Sequence, residues 1–171
     1  MKILLRVILV LLVIGGGAYL YALSIPAEQT YTRTMTLKQT PEEVFALLAD
    51  VDNMPKWNRN LQSVEHLPPI DGKPATRQTF NGKMQITIVT SESAPPHRLV
   101  RSMGDAGGPF IGSWTYDIQP AAGGCTVALT ENSRMKNPFF RLLVKVFGPT
   151  KYIDQHLEDM AKSFGEPAVI R

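Results

Sequence analysis

The stretch GSWTYDIQPAAGGCTVALTE, residues 112–131, decides the fold. Gly112–Gln119 and Cys125–Glu131 are rich in β-branched and aromatic residues, the side chains that suit a pleated, half-buried surface. Pro120 and Gly123-Gly124 lie between them, so the stretch reads as two strands joined by a turn. In the second strand Cys125, Val127 and Leu129 alternate toward one side, which makes Cys125 a small core residue.

The same pattern extends toward the N-terminus as a meander. Arg98–Met103 follows the Pro95-Pro96 turn, and a glycine-rich loop, Gly104–Gly108, leads from it to residue 112. Upstream, Ala75–Phe80 runs into Asn81-Gly82, a strong hairpin signal, and Lys83–Ser91 follows with Met84, Ile86 and Ile88 on one face. Leu61–Leu67 reads as a strand ended by Pro68-Pro69 and the turn residues Asp71-Gly72. Before it, Thr40-Pro41-Glu42-Glu43 is a helix start with a cap, a proline in the first turn and a capping box. A second helical turn or two is expected over Asp50–Trp57, and a strand over Tyr31–Lys38.

Downstream the pattern becomes helical. Asn137 caps, Pro138 suits the first turn, and Phe140, Leu143, Val144 and Phe147 recur at helical spacing. Gly148-Pro149 should kink or break the helix, and Ile153, Leu157, Met160 and Phe164 form a second apolar stripe that the sheet must cover. The expected class is α+β.

The first 25 residues stand apart. Val7–Ile25 is an uncharged run of 19 residues, about 28 Å as a helix at ~1.5 Å per residue, enough for a bilayer core of roughly 30 Å. Lys2 and Arg6 precede it, and Tyr19 and Tyr21 sit near its far end. As an anchor (1–25) this predicts a single-pass protein of the cell membrane, with a cytoplasmic N-terminus and the domain on the extracytoplasmic, periplasmic side. The competing reading is a signal peptide cleaved at Ala22-Leu23-Ser24. A short linker, 26–30, then leads to a domain over 31–171.

Without Lys2 and Arg6 the chain holds 16 basic and 15 acidic residues, a net of +1, too even for a nucleic-acid partner. A single cysteine excludes an intramolecular disulfide and a cysteine-based zinc cluster. His66, His97 and His156 fall on three different elements without metal-ligand spacing, and no nucleophile elbow or phosphate loop is present. We therefore expect no metal, no cofactor and no catalytic residues; Asp50 and Asp52 are read as capping acids.

The segments Thr40-Pro41-Glu42-Glu43-Val44-Phe45, Asp50 through Pro55-Lys56-Trp57-Asn58, Pro96-His97-Arg98-Leu99-Val100 and Gly112-Ser113-Trp114-Thr115-Tyr116, with the C-terminal helix, resemble the START-like (SRPBCC) superfamily, closest to its polyketide cyclase/dehydrase-like branch. The resemblance covers roughly residues 30–165. It implies a helix-grip fold, a curved antiparallel β-sheet wrapped around a long C-terminal α-helix, with an apolar cavity between them.

Trp57, Met84, Ile86, Met103, Trp114, Tyr116, Phe140 and Phe147 are the candidates to line such a cavity, against ordinary core packing for each. Arg101 alternates with Leu99 and Met103. If that side faces the helix, it is a buried cation that needs a carboxylate, such as Glu131, or an anionic ligand; otherwise it is merely exposed. Phe110, Ile111, Arg141, Lys145 and Lys151 are candidates for a membrane-facing surface formed by the Gly104–Gly112 loop and the start of the C-terminal helix, against a simply solvated basic face. The expected function is membrane-tethered binding of a lipid or other hydrophobic small molecule, as carrier or sensor. The alternatives are a cyclase/dehydrase-like enzyme with Arg101, Glu131, Asp117 or His97 converging in the cavity, and an accessory domain for protein contacts.

Overall fold

The computed structural model describes residues 2–104 and 110–171. An N-terminal helix α1 (Lys2–Ser24) precedes a seven-stranded antiparallel sheet and four further helices. In chain order these are β1 (Glu28–Leu37), α2 (Pro41–Ala49), α3 (Met54–Trp57), β2 (Leu61–Ile70), β3 (Lys73–Phe80), β4 (Gln85–Ala94), β5 (Arg98–Met103), β6 (Phe110–Ala121), β7 (Gly124–Met135), α4 (Pro138–Phe147) and α5 (Lys151–Ser163). The spatial order is β1-β7-β6-β5-β4-β3-β2, so the meander from β2 to β7 is completed by β1 returning beside the last strand.

The sheet curves around the C-terminal helices, the helix-grip arrangement. Its inner face supplies Met35, Leu37, Leu99, Ile118, Val127 and Leu129, all nearly inaccessible. Against them pack Val44 and Leu48 of α2 and Leu157 and Met160 of α5. Cys125 lies in this core, and burial raises its thiol pKa to about 11, leaving it protonated and inert.

Local chemistry sets the helix ends. In α2 the Glu43 amide donates to Thr40 Oγ1 at 3.3 Å while the Thr40 amide donates to Glu43 Oε2 at 2.9 Å, a closed capping box. Asn137 Oδ1 accepts from the Phe139 amide at 2.9 Å and opens α4. Gly148, at φ 102°, ends it, so the C-terminal helical region is two helices rather than one rod.

Several boundaries differ from the sequence reading: β3, β4 and β6 are displaced or extended by two or three residues at their ends, and three further differences have a physical reason or a consequence. β2 does not stop at Pro68 but runs through Pro68-Pro69 to Ile70. It is an edge strand, where a missing N–H costs nothing if it points away from β3. β1 begins at Glu28, paired with Arg134, which takes residues 28–30 out of the expected linker. β7 continues to Met135, past the expected end at Glu131. The glycine-rich loop lies largely outside the described residues.

Helix α1 is long and apolar enough to cross a membrane. Only its end touches the domain: Ala22 and the following Ile25 are buried, while the rest of its apolar surface is bare. It leans on α4, where Lys145 Nζ lies 5.2 Å from the centre of the Tyr21 ring.

Candidate functional site: a cavity with one polar end

Between the inner face of the sheet and the two C-terminal helices lies a cavity of about 670 Å³. The sheet wall follows from strand alternation. Met103 and Arg101 of β5, Trp114 and Tyr116 of β6 and Ile86 of β4 all point into it. Met84 lines it from the loop that enters β4. The roof is α4, through Phe140, Leu143, Val144 and Phe147, and α5 closes the side with Ile153 and His156. Volume and lining match a pocket for a single apolar small molecule.

Eight of the nine cavity candidates read from the sequence therefore line this space, and so does Phe110, which begins β6. Trp57 does not. It stands behind His156, with ring centroids 5.2 Å apart, because α3 turns Met54 and the adjoining Asn58 inward instead.

Arg101 is 4% exposed, which corrects the alternative that it faces solvent. The inner face of β5 is covered by α2 and α3, and their groups receive the guanidinium. Nη2 donates to the Leu48 carbonyl oxygen and Nη1 to Met54 Sδ at 3.3 Å, while Nε has no partner. Among the described residues no carboxylate comes within 4.0 Å of it. Glu131, the expected partner, instead accepts from Trp114 Nε1 at 3.0 Å. Burial raises the Glu131 pKa, opposed in part by that hydrogen bond. Burial likewise lowers the pKa of Arg101.

His156 gave no sign of function in the sequence beyond its spacing. It falls three residues after Ile153 and four before Met160, on the apolar stripe, where a histidine needs partners. It has two: Asn58 Nδ2 lies 3.2 Å from its Nδ1 and the Tyr116 hydroxyl 3.0 Å from its Nε2. Burial, helped by the charge of Arg101, lowers its pKa to about 4, so it is neutral at physiological pH. Burial raises the Tyr116 phenol to about 12, so it is protonated.

The other acid/base candidates lie elsewhere. Asp117 receives Arg98 on the outer face, and His97 Nδ1 lies 3.2 Å from the Ile118 carbonyl oxygen. His66 is paired with Asp52 at 2.7 Å, well exposed. Asp50 accepts from the Asn53 amide and side chain, a local cap. Among the described residues no three His, Cys, Asp or Glu side chains gather to hold a metal ion.

The basic candidates for a membrane face divide. Arg141 is engaged: it donates to the carbonyl oxygens of Met135, Ile25 and Lys136 at 2.9, 2.9 and 3.0 Å, so it joins α1, β7 and α4 and is not a loose basic group. Lys145 rests over Tyr21, and Lys151 sits at the cavity mouth. Ile111 is half-buried in β6. Around the mouth Phe140, Phe147 and Tyr152 are exposed, and Phe147 and Tyr152 each keep more than 70% of their surface.

No curated protein sequence matches the chain. Solved structures match in fold. The chain superposes on a START superfamily protein from Mycobacterium smegmatis with a TM-score of 0.60 at 15% identity, covering 79% of this chain and 98% of that one. Truncated norcoclaurine synthase from Thalictrum flavum gives 0.62 at 13%, covering 80% and 93%. The di-domain aromatase/cyclase (ARO/CYC) StfQ from the steffimycin biosynthetic pathway gives 0.66 at 7%, covering 78% of this chain but 49% of that one, so the chain spans about half the length of that protein. At such identities the likeness is one of fold. Residues 28–165 match the family model described as polyketide cyclase / dehydrase and lipid transport, and the chain belongs to that family.

Proposed function

We propose that this protein is a membrane-tethered binding protein for a lipid or another hydrophobic small molecule, acting as carrier or sensor. The observation that carries the reading is the cavity of about 670 Å³, large enough for one such molecule and walled mostly by apolar side chains. Its mouth supports the lipid source. The roof helix α4 leans on the end of the apolar helix α1 and exposes Phe139, Phe140, Val146 and Phe147. With α1 in a bilayer these rings sit at the interface, beside the opening. Lys2 and Arg6 at the start of α1, ahead of its uncharged run, support a cytoplasmic N-terminus with the domain outside.

A second reading, catalysis on a hydrophobic substrate, is favoured by one feature, the Tyr116–His156 pair inside the cavity. The same experiment separates the two. The full chain, reconstituted in phosphatidylcholine nanodiscs, is titrated with the neutral apolar probe N-phenylnaphthylamine, and the emission of Trp114 is followed in a Trp57→Phe background. The binding reading requires saturable binding with a change in Trp114 emission, and natural ligands recovered unchanged after incubation. Absence of saturable binding sinks it; recovery of a chemically altered ligand gives the enzyme reading. For the tether, the protein must sediment with membranes after alkaline carbonate and be cut by protease added outside the cytoplasmic membrane.

A further inference from the structure

We propose that the polar end of the cavity is a receptor for a single carboxylate, so that the ligand is an amphiphilic acid with its headgroup between Arg101 and Tyr116 and its apolar body running toward α4. This deepens the binding reading above and rests on it.

The first observation is the state of Arg101. The side chain is 96% buried and lines the cavity, yet the acceptors it meets, Leu48 O and Met54 Sδ, are both neutral. Its Nε–H is unpartnered. A buried cation without a counter-charge is costly, and folds retain one where an anion arrives to meet it.

The second is the position of Glu131. Arg101 is the cross-strand partner of Trp114, and Trp114 is the partner of Glu131. Three side chains thus form a row across β5, β6 and β7. Two strand spacings, about 10 Å at ~4.8 Å each, separate the cation from the carboxylate, with the indole between them. The indole N–H holds the carboxylate, so the row keeps the two apart.

The third is the direction of the Tyr116 hydrogen, which a chain of hydrogen bonds determines. The Asn60 amide, an unambiguous donor, reaches Asn58 Oδ1 at 3.0 Å. That fixes the orientation of the Asn58 amide and turns its Nδ2 toward His156 Nδ1. His156 Nδ1 must then accept, so its proton sits on Nε2 and is donated to the Tyr116 oxygen. The phenolic hydrogen is left to point away from His156, and it meets no other protein acceptor among the described residues. Tyr116 and Arg101 lie diagonally on adjacent strands of the same face, because Leu99 pairs with Tyr116 and Arg101 with Trp114. They are close enough for the Arg101 charge to pull the phenol pKa down against the larger effect of burial.

One end of the cavity therefore brings together a guanidinium without a counter-charge and a phenolic O–H without an acceptor. One unpaired positive charge is balanced by a monoanion, and a dianionic phosphate would be left half neutralised in a buried site. The opposite wall, Leu143, Val144 and Phe147, offers nothing polar to a headgroup and suits an alkyl or polycyclic body.

The test uses the full chain in phosphatidylcholine nanodiscs at neutral pH, loaded with N-phenylnaphthylamine. Decanoate, decanol and decyl phosphate are each titrated as competitors. The expected result is displacement by decanoate at a concentration about tenfold or more below that of decanol, the size of a charge-assisted hydrogen bond, with decyl phosphate weaker than decanoate. The preference for acid over alcohol should vanish in Arg101→Met and shrink in Tyr116→Phe. The wild-type comparison needs no variant to fold, and Tyr116→Phe leaves the tie from Arg101 to Leu48 in place. Probe binding with decanoate and decanol equal would overturn the headgroup site and leave the cavity reading standing. A stronger decyl phosphate would overturn the choice of carboxylate. Failure of the probe itself to bind removes the cavity reading and this proposal together.

Discussion

The guanidinium of Arg141 closes on the carbonyl oxygen of Ile25 at 2.9 Å, so the chain leaving α1 and the first turn of α4 are fastened at one point. Two more of its N–H groups hold the Met135 and Lys136 carbonyls at the exit of β7. Arg141→Gln, which cannot span all three acceptors, should cost about 2 kcal/mol. Faster amide exchange near residues 22–27 and 135–142 should accompany the loss, with the core strands unaffected. Uniformly faster exchange across the sheet would contradict so local a role.

Asp159 is buried and accepts from both the amide and the Nε of Arg59, at 2.8 and 2.7 Å. It thereby pins the segment after α3 onto α5. Asp159→Ala removes the acceptor of both the Arg59 amide and its guanidinium and should cost about 2–3 kcal/mol. Asp159→Asn keeps one acceptor and should cost less. Arg59 is half exposed, so Arg59→Ala should be milder than Asp159→Ala. Urea denaturation of the three variants ranks them.

Stability should depend on pH through His156. Its folded-state pKa, about 4, lies below the ordinary 6.5, so the unfolded chain takes up a proton first as pH falls. The contribution is complete above pH 6.5 and disappears as pH falls toward about 4, a loss of about 3 kcal/mol. Glu131 acts with the opposite sign. Its raised pKa stabilises the fold at low pH and is lost as pH rises. The difference between wild type and His156→Gln cancels the Glu131 part, since both chains carry it. That difference in unfolding free energy should shrink between pH 6.5 and 4, and a constant gap would show that His156 is not buried neutral.

Two adjacent glycines should respond differently to alanine. At Gly124 (φ +153) a Cβ would stand 1.9 Å from the Leu37 carbonyl oxygen, a backbone atom of β1 that cannot give way. At Gly123 (φ +79) the space is open and only the left-handed backbone resists a side chain. Gly123→Ala should lower stability by about 1 kcal/mol, and Gly124→Ala by clearly more, with the β1–β7 pairing opened near Leu37. Thermal melts with amide exchange at residues 36–38 would show it.

Much of this fold is written in local chemistry. The Thr40–Glu43 box, the bounds Arg98–Met103 and the break at Gly148 depend on neighbours along the chain, and each is found where its residues stand. What depends on neighbours across space was harder to see. Pro68-Pro69 looks like a strand end until β2 is known to pair on one side only. The burial of Arg101 turns on which face α2 and α3 cover, and strand alternation alone leaves two choices. Trp57 and Asn58 are adjacent in a short helical turn, and only the placement of α3 against α5 decides which of them reaches the cavity. His156 was legible in principle, as a polar side chain on an apolar stripe.

The two borders of the sheet have a consequence for self-association. An unprotected border strand is a template for another chain, and fibrous aggregates grow by that route. Here β1 is covered by the chain's own last residues: Thr34 exchanges both backbone hydrogen bonds with Arg171, and Met35 bridges to Ile170. At the other border Pro68 and Pro69 remove two donors from β2, and the ladder slips between Leu67 and Ile70. Both borders are interrupted by different means, so molecules crowded side by side meet broken edges rather than one continuous ladder.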